Sequence, residues 1–255
     1  MKAIQITFSP TGGTDKVAET ITKAWGIPVN KIDLSNAETN YSSLSLEKDD
    51  IAIIAVPSYG GRVPGLAIQR ISNIHANQTP CVIVCVYGNR AYEDTLVELN
   101  DAAAKSGFKV IAAIAAIAEH SIIHQYATGR PDAADESELN SFAQKISEKI
   151  NGDLTGISTP QIPGNRPYKK AGGAGLVPKA NNNCTNCGLC AKQCTAQAIS
   201  KENPKVTDNK KCISCMRCVV KCPQSARKVN GAMVSVAALA IKKACSTRKG
   251  NELYI

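Results

Sequence analysis

The chain has 255 residues, 44% of them hydrophobic and 4% aromatic, with 30 Lys and Arg against 21 Asp and Glu for a net charge of +9. That length exceeds a typical single domain, so one full α/β domain and a smaller companion are expected. No run reaches the roughly 18 apolar residues that a membrane-spanning helix needs. The opening MKAIQITFSP reads as a strand rather than a signal peptide, so a soluble, cytoplasmic protein with no membrane role is expected.

Charge is divided unevenly. Residues 1–150 hold 13 basic against 17 acidic side chains, a balance of −4, whereas residues 151–255 hold 17 against 4, a balance of +13. So few aromatic residues offer no platform on which bases could stack, which sets nucleic acid aside as a partner. The basic half suits an acidic macromolecular surface instead, because complementary charge speeds encounter.

Residues 2–8 alternate in polarity and end at a Ser/Thr/Gly turn, and residues 16–25 follow with helical spacing of Val17, Ile21 and Trp25. Apolar runs at 29–34, 51–56, 81–86 and 110–117 are rich in β-branched residues or alanine, as buried parallel strands are. Helical patterns intervene at 65–74, 91–106 and 136–150, with Arg130-Pro131-Asp132 opening the last of these; residues 35–50 show no clear period. Strands alternating with helices predict a doubly wound parallel sheet over residues 1–150. Residues 151–180, rich in Gly, Pro, Asn and Lys, read as a linker that either lies ordered over the first domain, with Tyr168 as an anchor, or acts as a flexible tether. Residues 181–230 form the second domain, and 231–255 a terminal helix, starting near Val234, with a basic tail.

Eight of the eleven cysteines fall between Cys184 and Cys222. They form two C-x2-C-x2-C-x3-C runs, Cys184, Cys187, Cys190, Cys194 and Cys212, Cys215, Cys218, Cys222, the second followed by Pro223. Such density argues metal binding and not disulfides. Two-residue gaps wrap a loop around three corners of a cubane cluster, and a fourth thiolate must come from elsewhere. A pair of zinc sites is the alternative, but zinc loops usually bring two cysteines per knuckle. The segment resembles bacterial-type ferredoxins, which carry two 4Fe–4S clusters. That resemblance implies that the fourth cysteine of each run serves the other cluster: Cys184, Cys187, Cys190 and Cys222 for one, Cys212, Cys215, Cys218 and Cys194 for its partner. Thr195 departs from the pattern, standing where proline usually follows the fourth cysteine. Two oxidised clusters with their thiolates would offset about four of the positive charges.

Between the first strand and helix, Ser9, Thr11, Gly12, Gly13 and Thr14 supply hydroxyls and open N–H groups at a helix N-terminus, which is chemistry for a phosphate; the basic P-loop lysine is missing. Pro57, Ser58, Tyr59, Gly60 and Gly61 follow the third strand, and Tyr87, Gly88, Asn89, Arg90 and Tyr92 follow the fourth, both on the sheet edge where ligands of such folds bind. The first loop is similar to the T-x-T-G-x-T loop of flavodoxins. The whole chain resembles flavodoxin and ferredoxin domains fused in one polypeptide. This implies a five-stranded sheet of order 2-1-3-4-5, bound FMN with Tyr59 and Tyr87 (or Tyr92) flanking its ring, and other redox proteins as partners. Two functional readings follow, an electron carrier and a reductase of a small organic acceptor; the reductase would draw on Glu119, His120 and His124 after the fifth strand. Cys81, Cys85 and Cys245 read as packing thiols and His75 as a helix-end residue.

Overall fold

The computed structural model describes residues 2–152, 156, 158–172 and 175–255. The expected linker therefore falls partly outside the described residues. Strands form where β-branched and small apolar residues run together, and most of the long ones lead into a helix. In chain order the first domain is β1 (Ala3–Thr7), α1 (Gly13–Ala24), β2 (Val29–Asp33), a 3-10 turn at Tyr41–Ser43, β3 (Ser45–Leu46), β4 (Ile51–Pro57), α2 (Gly65–Ile71), β5 (His75–Ala76), β6 (Pro80–Tyr87), α3 (Thr95–Lys105), β7 (Lys109–Ile117) and α4 (Ala133–Asn151). The remainder is β8 (Lys179–Ala180), α5 (Leu189–Lys192), α6 (Arg217–Val220), β9 (Arg227–Lys228), α7 (Gly231–Cys245) and β10 (Glu252–Tyr254).

The sheet runs β2-β1-β4-β6-β7-β10, its first five strands parallel. Counting only these long strands, the order is 2-1-3-4-5, which is the flavodoxin-like arrangement. Two details differ from the expectation. A sixth strand from the tail pairs antiparallel with β7, Leu253 opposite Ile114, and closes an edge that would otherwise expose unpaired backbone groups. His75 lies in β5, which pairs with β3 out of the unreadable 35–50 segment, because α2 already ends at Ile71.

The two faces of the sheet bury separate cores, as period-2 alternation requires. One holds Ile6, Phe8, Ile54, Ile83, Cys81 and Cys85 against α2 and α3; the other holds Ile53, Ala55, Val82 and Val84 against Val17 and Ile21 of α1 and Leu139 and Ile146 of α4. Cys81 and Cys85 share one face, and burial pushes both thiols far above the usual range. Asp132 caps α4 by accepting from the Ala134 and Asp135 N–H groups. No helix among the described residues is long and apolar enough to cross a membrane.

Candidate iron–sulfur and flavin sites

The two cysteine runs fold as copies of one loop. Asn186 and Ser214 have positive φ (56° and 53°), as do Gly188 and Met216 (76° and 60°) and Gln197 and Ser225 (49° and 47°). Each run continues into a single helical turn, α5 or α6, after its left-handed residue. The Ala198 N–H donates to Cys194 Sγ at 3.2 Å, and the Ala226 N–H to Cys222 Sγ at 3.3 Å.

These loops frame two cavities. One is lined by Cys194, Cys212, Cys215 and Cys218; the other by Cys184, Cys187, Cys190 and Cys222. Each cavity takes three thiols from one run and the last from the other. Among the described residues, no three His, Cys, Asp or Glu side chains converge as a single metal ion would require. Four thiols lining one cavity suit a multi-iron cluster. Burial pushes Cys215 up to about 11 and Cys218 up to about 12, so ligation there must release protons. Cys187, in contrast, is exposed.

The cavity containing Cys194 faces the first domain. Thr195, 1% exposed, donates its hydroxyl to the Ser35 carbonyl at 2.9 Å and accepts at its own carbonyl from Arg70 Nη2 at 2.8 Å. Arg217 pairs with Asp33 at 3.3 Å, and Ile213 packs on the first domain's core. Tyr59 is partly buried, and burial together with the nearby Cys215 drives its phenol well above 10. The end of β2, the loop after it and α2 are therefore neighbours of this cysteine cavity. The sequence reading missed this docking surface, although the departure at Thr195 was its visible signal.

The phosphate-type loop is built in part as expected. Gly12 caps α1 at φ 95°, a conformation that favours glycine, and among the described residues the N–H groups of Gly13 and Thr14 have no hydrogen-bond partner. Thr11 is partly buried. Ser9 is 5% exposed and its Oγ accepts from the Asp15 N–H at 2.9 Å, so it caps the helix and keeps only its hydroxyl proton for a ligand. Asp15 accepts from Thr7 at 2.5 Å, and burial raises its carboxyl above the ordinary 3.8.

The other two loops are expected at the ring end. Pro57 and Ser58 close β4, the Ser58 hydroxyl lies 2.7 Å from that of Thr95, and Gly60 and Gly61 turn with φ of 62° and 85°. Tyr87 is 4% exposed and packs edge-on against Tyr92 at 5.2 Å, next to Ala115 and Ile117. Tyr92 is tied to Glu252 at 2.6 Å and Tyr254 at 2.9 Å. Asn89 is buried and donates to the carbonyls of Cys245 and Thr247, while the Arg90 carbonyl accepts from Lys249. The side chains of Asn89 and Tyr92 in this third loop therefore hold the C-terminal segment. What the loop leaves at the sheet edge is Gly88, where a Cβ would lie 2.7 Å from His120. Glu119 pairs with His124 at 2.7 Å and also accepts from the Gly129 N–H, and His120 Nδ1 accepts from the Ile122 and Ile123 N–H groups.

Residues 165–172 of the linker lie on the first domain, while Lys179 and Ala180 at its end pair with β9. Arg166 and Tyr168 both bond Asp101, Arg62 stacks 5.0 Å from the Tyr168 ring, and Gly172 lies against Gly60. The tail is a clasp and not a free basic arm: Arg248 pairs with Asp132, and Asn251 accepts from the Ile117 N–H at 2.9 Å and donates to Glu138 at 2.6 Å. Cys245 is buried with Ile123, Tyr126 and Ala238 under α7.

Residues 183–227 match the family described as "4Fe-4S dicluster domain". No curated protein matches the chain. Among solved structures it is similar to a flavodoxin of Streptococcus pneumonia TIGR4, at 17% identity and a TM-score of 0.43 over 58% of this chain and 99% of that one. A flavodoxin from the domain Archaea is similar at 14% identity and 0.41, over 60% of this chain and 100% of its own. Rubredoxin oxygen:oxidoreductase from the anaerobe Desulfovibrio gigas is similar at 15% identity and 0.42, over 60% of this chain and 37% of its own. The chain thus joins a flavodoxin-like doubly wound domain, defined by its strand order, to a 4Fe–4S dicluster domain.

Proposed function

We propose that this chain is an electron-transfer flavo-iron–sulfur protein holding two 4Fe–4S clusters and one FMN. Clusters exchange single electrons and a flavin one or two, so the pair supplies interconversion between these kinds of chemistry. The observation that carries the reading is the docking of the inner cysteine set on the first domain, where Thr195 bonds Ser35 and Arg70 and Arg217 pairs with Asp33. Cys194, Cys212, Cys215 and Cys218 would hold the cluster nearest the sheet edge, and Cys184, Cys187, Cys190 and Cys222 the outer one, with exposed Cys187 as the port toward a partner. The α1 N-terminus would hold the FMN phosphate through the Gly13 and Thr14 N–H groups and the Thr11 hydroxyl, and the ring would lie beside Tyr59 with the backbone of Gly60, Gly61 and Gly88 along its edge.

Partners with acidic surfaces fit this chain. Lys192, Lys201, Lys205, Lys210, Lys211, Lys221 and Lys228 are exposed, and among the described residues none forms an ion pair. The carrier reading is favoured over reduction of a small organic acceptor, because Glu119 and His124 are engaged with each other. The test is anaerobic reduction of the loaded chain by a one-electron donor, followed at the iron–sulfur and flavin absorption bands. Replacing Tyr59 by Ala should slow flavin reduction with little change in the iron–sulfur signal. Equal rates in both proteins would remove the proposed route.

A further inference from the structure

The cysteine repeat departs from itself at a position that is buried in both copies. Cys194-Thr-Ala-Gln-Ala is followed by Ile199, and Cys222-Pro-Gln-Ser-Ala by Arg227. Both side chains are inside, Ile199 at 5% exposure and Arg227 at 2%. Arginine stays charged under all ordinary conditions, and burying a cation calls for a compensating anion. Among the described residues the chain supplies none. Arg227 Nη1 donates to the Pro178 carbonyl at 3.2 Å and to Thr207 Oγ1 at 2.6 Å, Nη2 donates to the Pro204 carbonyl, and Nε has no partner. Every one of these acceptors is neutral. The domain's two carboxylates are turned elsewhere, Glu202 to Ser200 and Asp208 to the N–H groups of Lys210 and Lys211.

Its position names the missing anion. Arg227 and Pro204 line the cavity of Cys184, Cys187, Cys190 and Cys222, while Pro178 and Thr207 line that of Cys194, Cys212, Cys215 and Cys218. The guanidinium therefore sits in the wall between the two thiol sets. Building on the two-cluster reading above, we infer that Arg227 is the internal counter-cation of both cluster sites and holds their reduction potentials up. An oxidised 4Fe–4S core with four thiolates is a net anion and gains a further negative charge on reduction, so a fixed neighbouring cation favours the reduced form. The hydrogen bonds to three neutral acceptors orient the group without neutralising it.

The test uses the full chain, reconstituted anaerobically with iron and sulfide, and compares wild type with Arg227→Met and Arg227→Lys by iron content and redox titration followed by electron paramagnetic resonance. The Met variant should titrate lower by at least tenfold in the reduction equilibrium, about 59 mV for one electron, while the Lys variant stays within about threefold of wild type. Cluster loading should also raise the melting temperature more in wild type than in the Met variant, because only the former gains an anion for a buried charge. Potentials unchanged in Arg227→Met would overturn the inference. So would a Lys variant that falls as far as Met, since the hydrogen bonds and not the charge would then matter. If the Met variant holds no iron, the Lys variant decides: wild-type iron and potentials support the inference, and loss of either overturns it. A wild-type chain that takes up no cluster would instead defeat the two-cluster reading on which this rests.

Discussion

The guanidinium of Arg70, on α2 of the first domain, donates to the main-chain carbonyl of Thr195, the residue after the fourth cysteine of the first run, at 2.8 Å. Arg70 also donates to the Leu34 carbonyl at 2.5 Å and is 8% exposed. One side chain thus joins α2, the loop after β2 and the inner cysteine cavity.

Replacing Arg70 by Ala leaves two buried carbonyls without this donor, a loss of about 1–3 kcal/mol for each. Iron content should hold while the cysteine domain comes away from the first domain at lower denaturant, giving two resolved unfolding steps. Thr195→Pro should act more mildly, since only the hydroxyl bond to Ser35 is lost. One unchanged transition in both variants would show that the interface rests on other contacts.

The exchanged cysteine grouping predicts which variants behave alike. Cys184→Ala and Cys222→Ala should each disable the same site and leave the same residual cluster spectrum, with about four irons per chain. Cys194→Ala should match Cys212→Ala instead. A pairing of Cys194 with Cys184 in such spectra would mean that each run serves its own cluster.

Asn251 holds the last strand in place. Its side chain accepts from the Ile117 N–H at 2.9 Å and donates to Asp135 at 3.2 Å and Glu138 at 2.6 Å, while 7% exposed. Asn251→Ala should cost about 1–3 kcal/mol and speed amide hydrogen exchange at residues 113–115, which pair with β10. Exchange unchanged at these positions would show that the tail stays on without this side chain.

His120 sets an acid limit for the sheet edge. Burial holds its ring below the ordinary 6.5, and Nδ1 accepts from two N–H groups at 3.2 Å each. The unfolded chain takes up the proton near 6.5 but the folded one only at lower pH. Its stabilising contribution is therefore complete above 6.5 and is lost as pH falls from there toward the folded value, at no more than about 1.4 kcal/mol per pH unit. His120→Asn, which accepts without titrating, should flatten this slope. The check is the denaturant midpoint at about pH 7.5 and about pH 5.5 for both proteins, which brackets the ordinary histidine value.

Much of this architecture was legible because its signals are local. The unbroken apolar run of Ile51–Pro57 or Pro80–Tyr87 reads as a buried strand, and cysteines at two-residue gaps leave few alternatives for the second domain. The ring site was less legible. Tyr87 and Asn89 lie on the expected edge, yet their side chains are taken by Tyr92 and by the tail from Cys245 to Lys249, the latter far away in sequence. Strand β10 was missed for the same reason: three residues carry no period, and only the open edge of β7 makes them a strand. Thr195 and Arg227 show the opposite case, where a break in a repeat marked a residue with work outside its own loop.

The most direct test of the central claim is the cofactor content of the full chain purified without oxygen, with iron, sulfide, zinc and flavin assayed on the same sample. The account predicts about eight irons with matching sulfide and one FMN per chain. Stoichiometric zinc, or full iron with no capacity to retain added FMN, would contradict it.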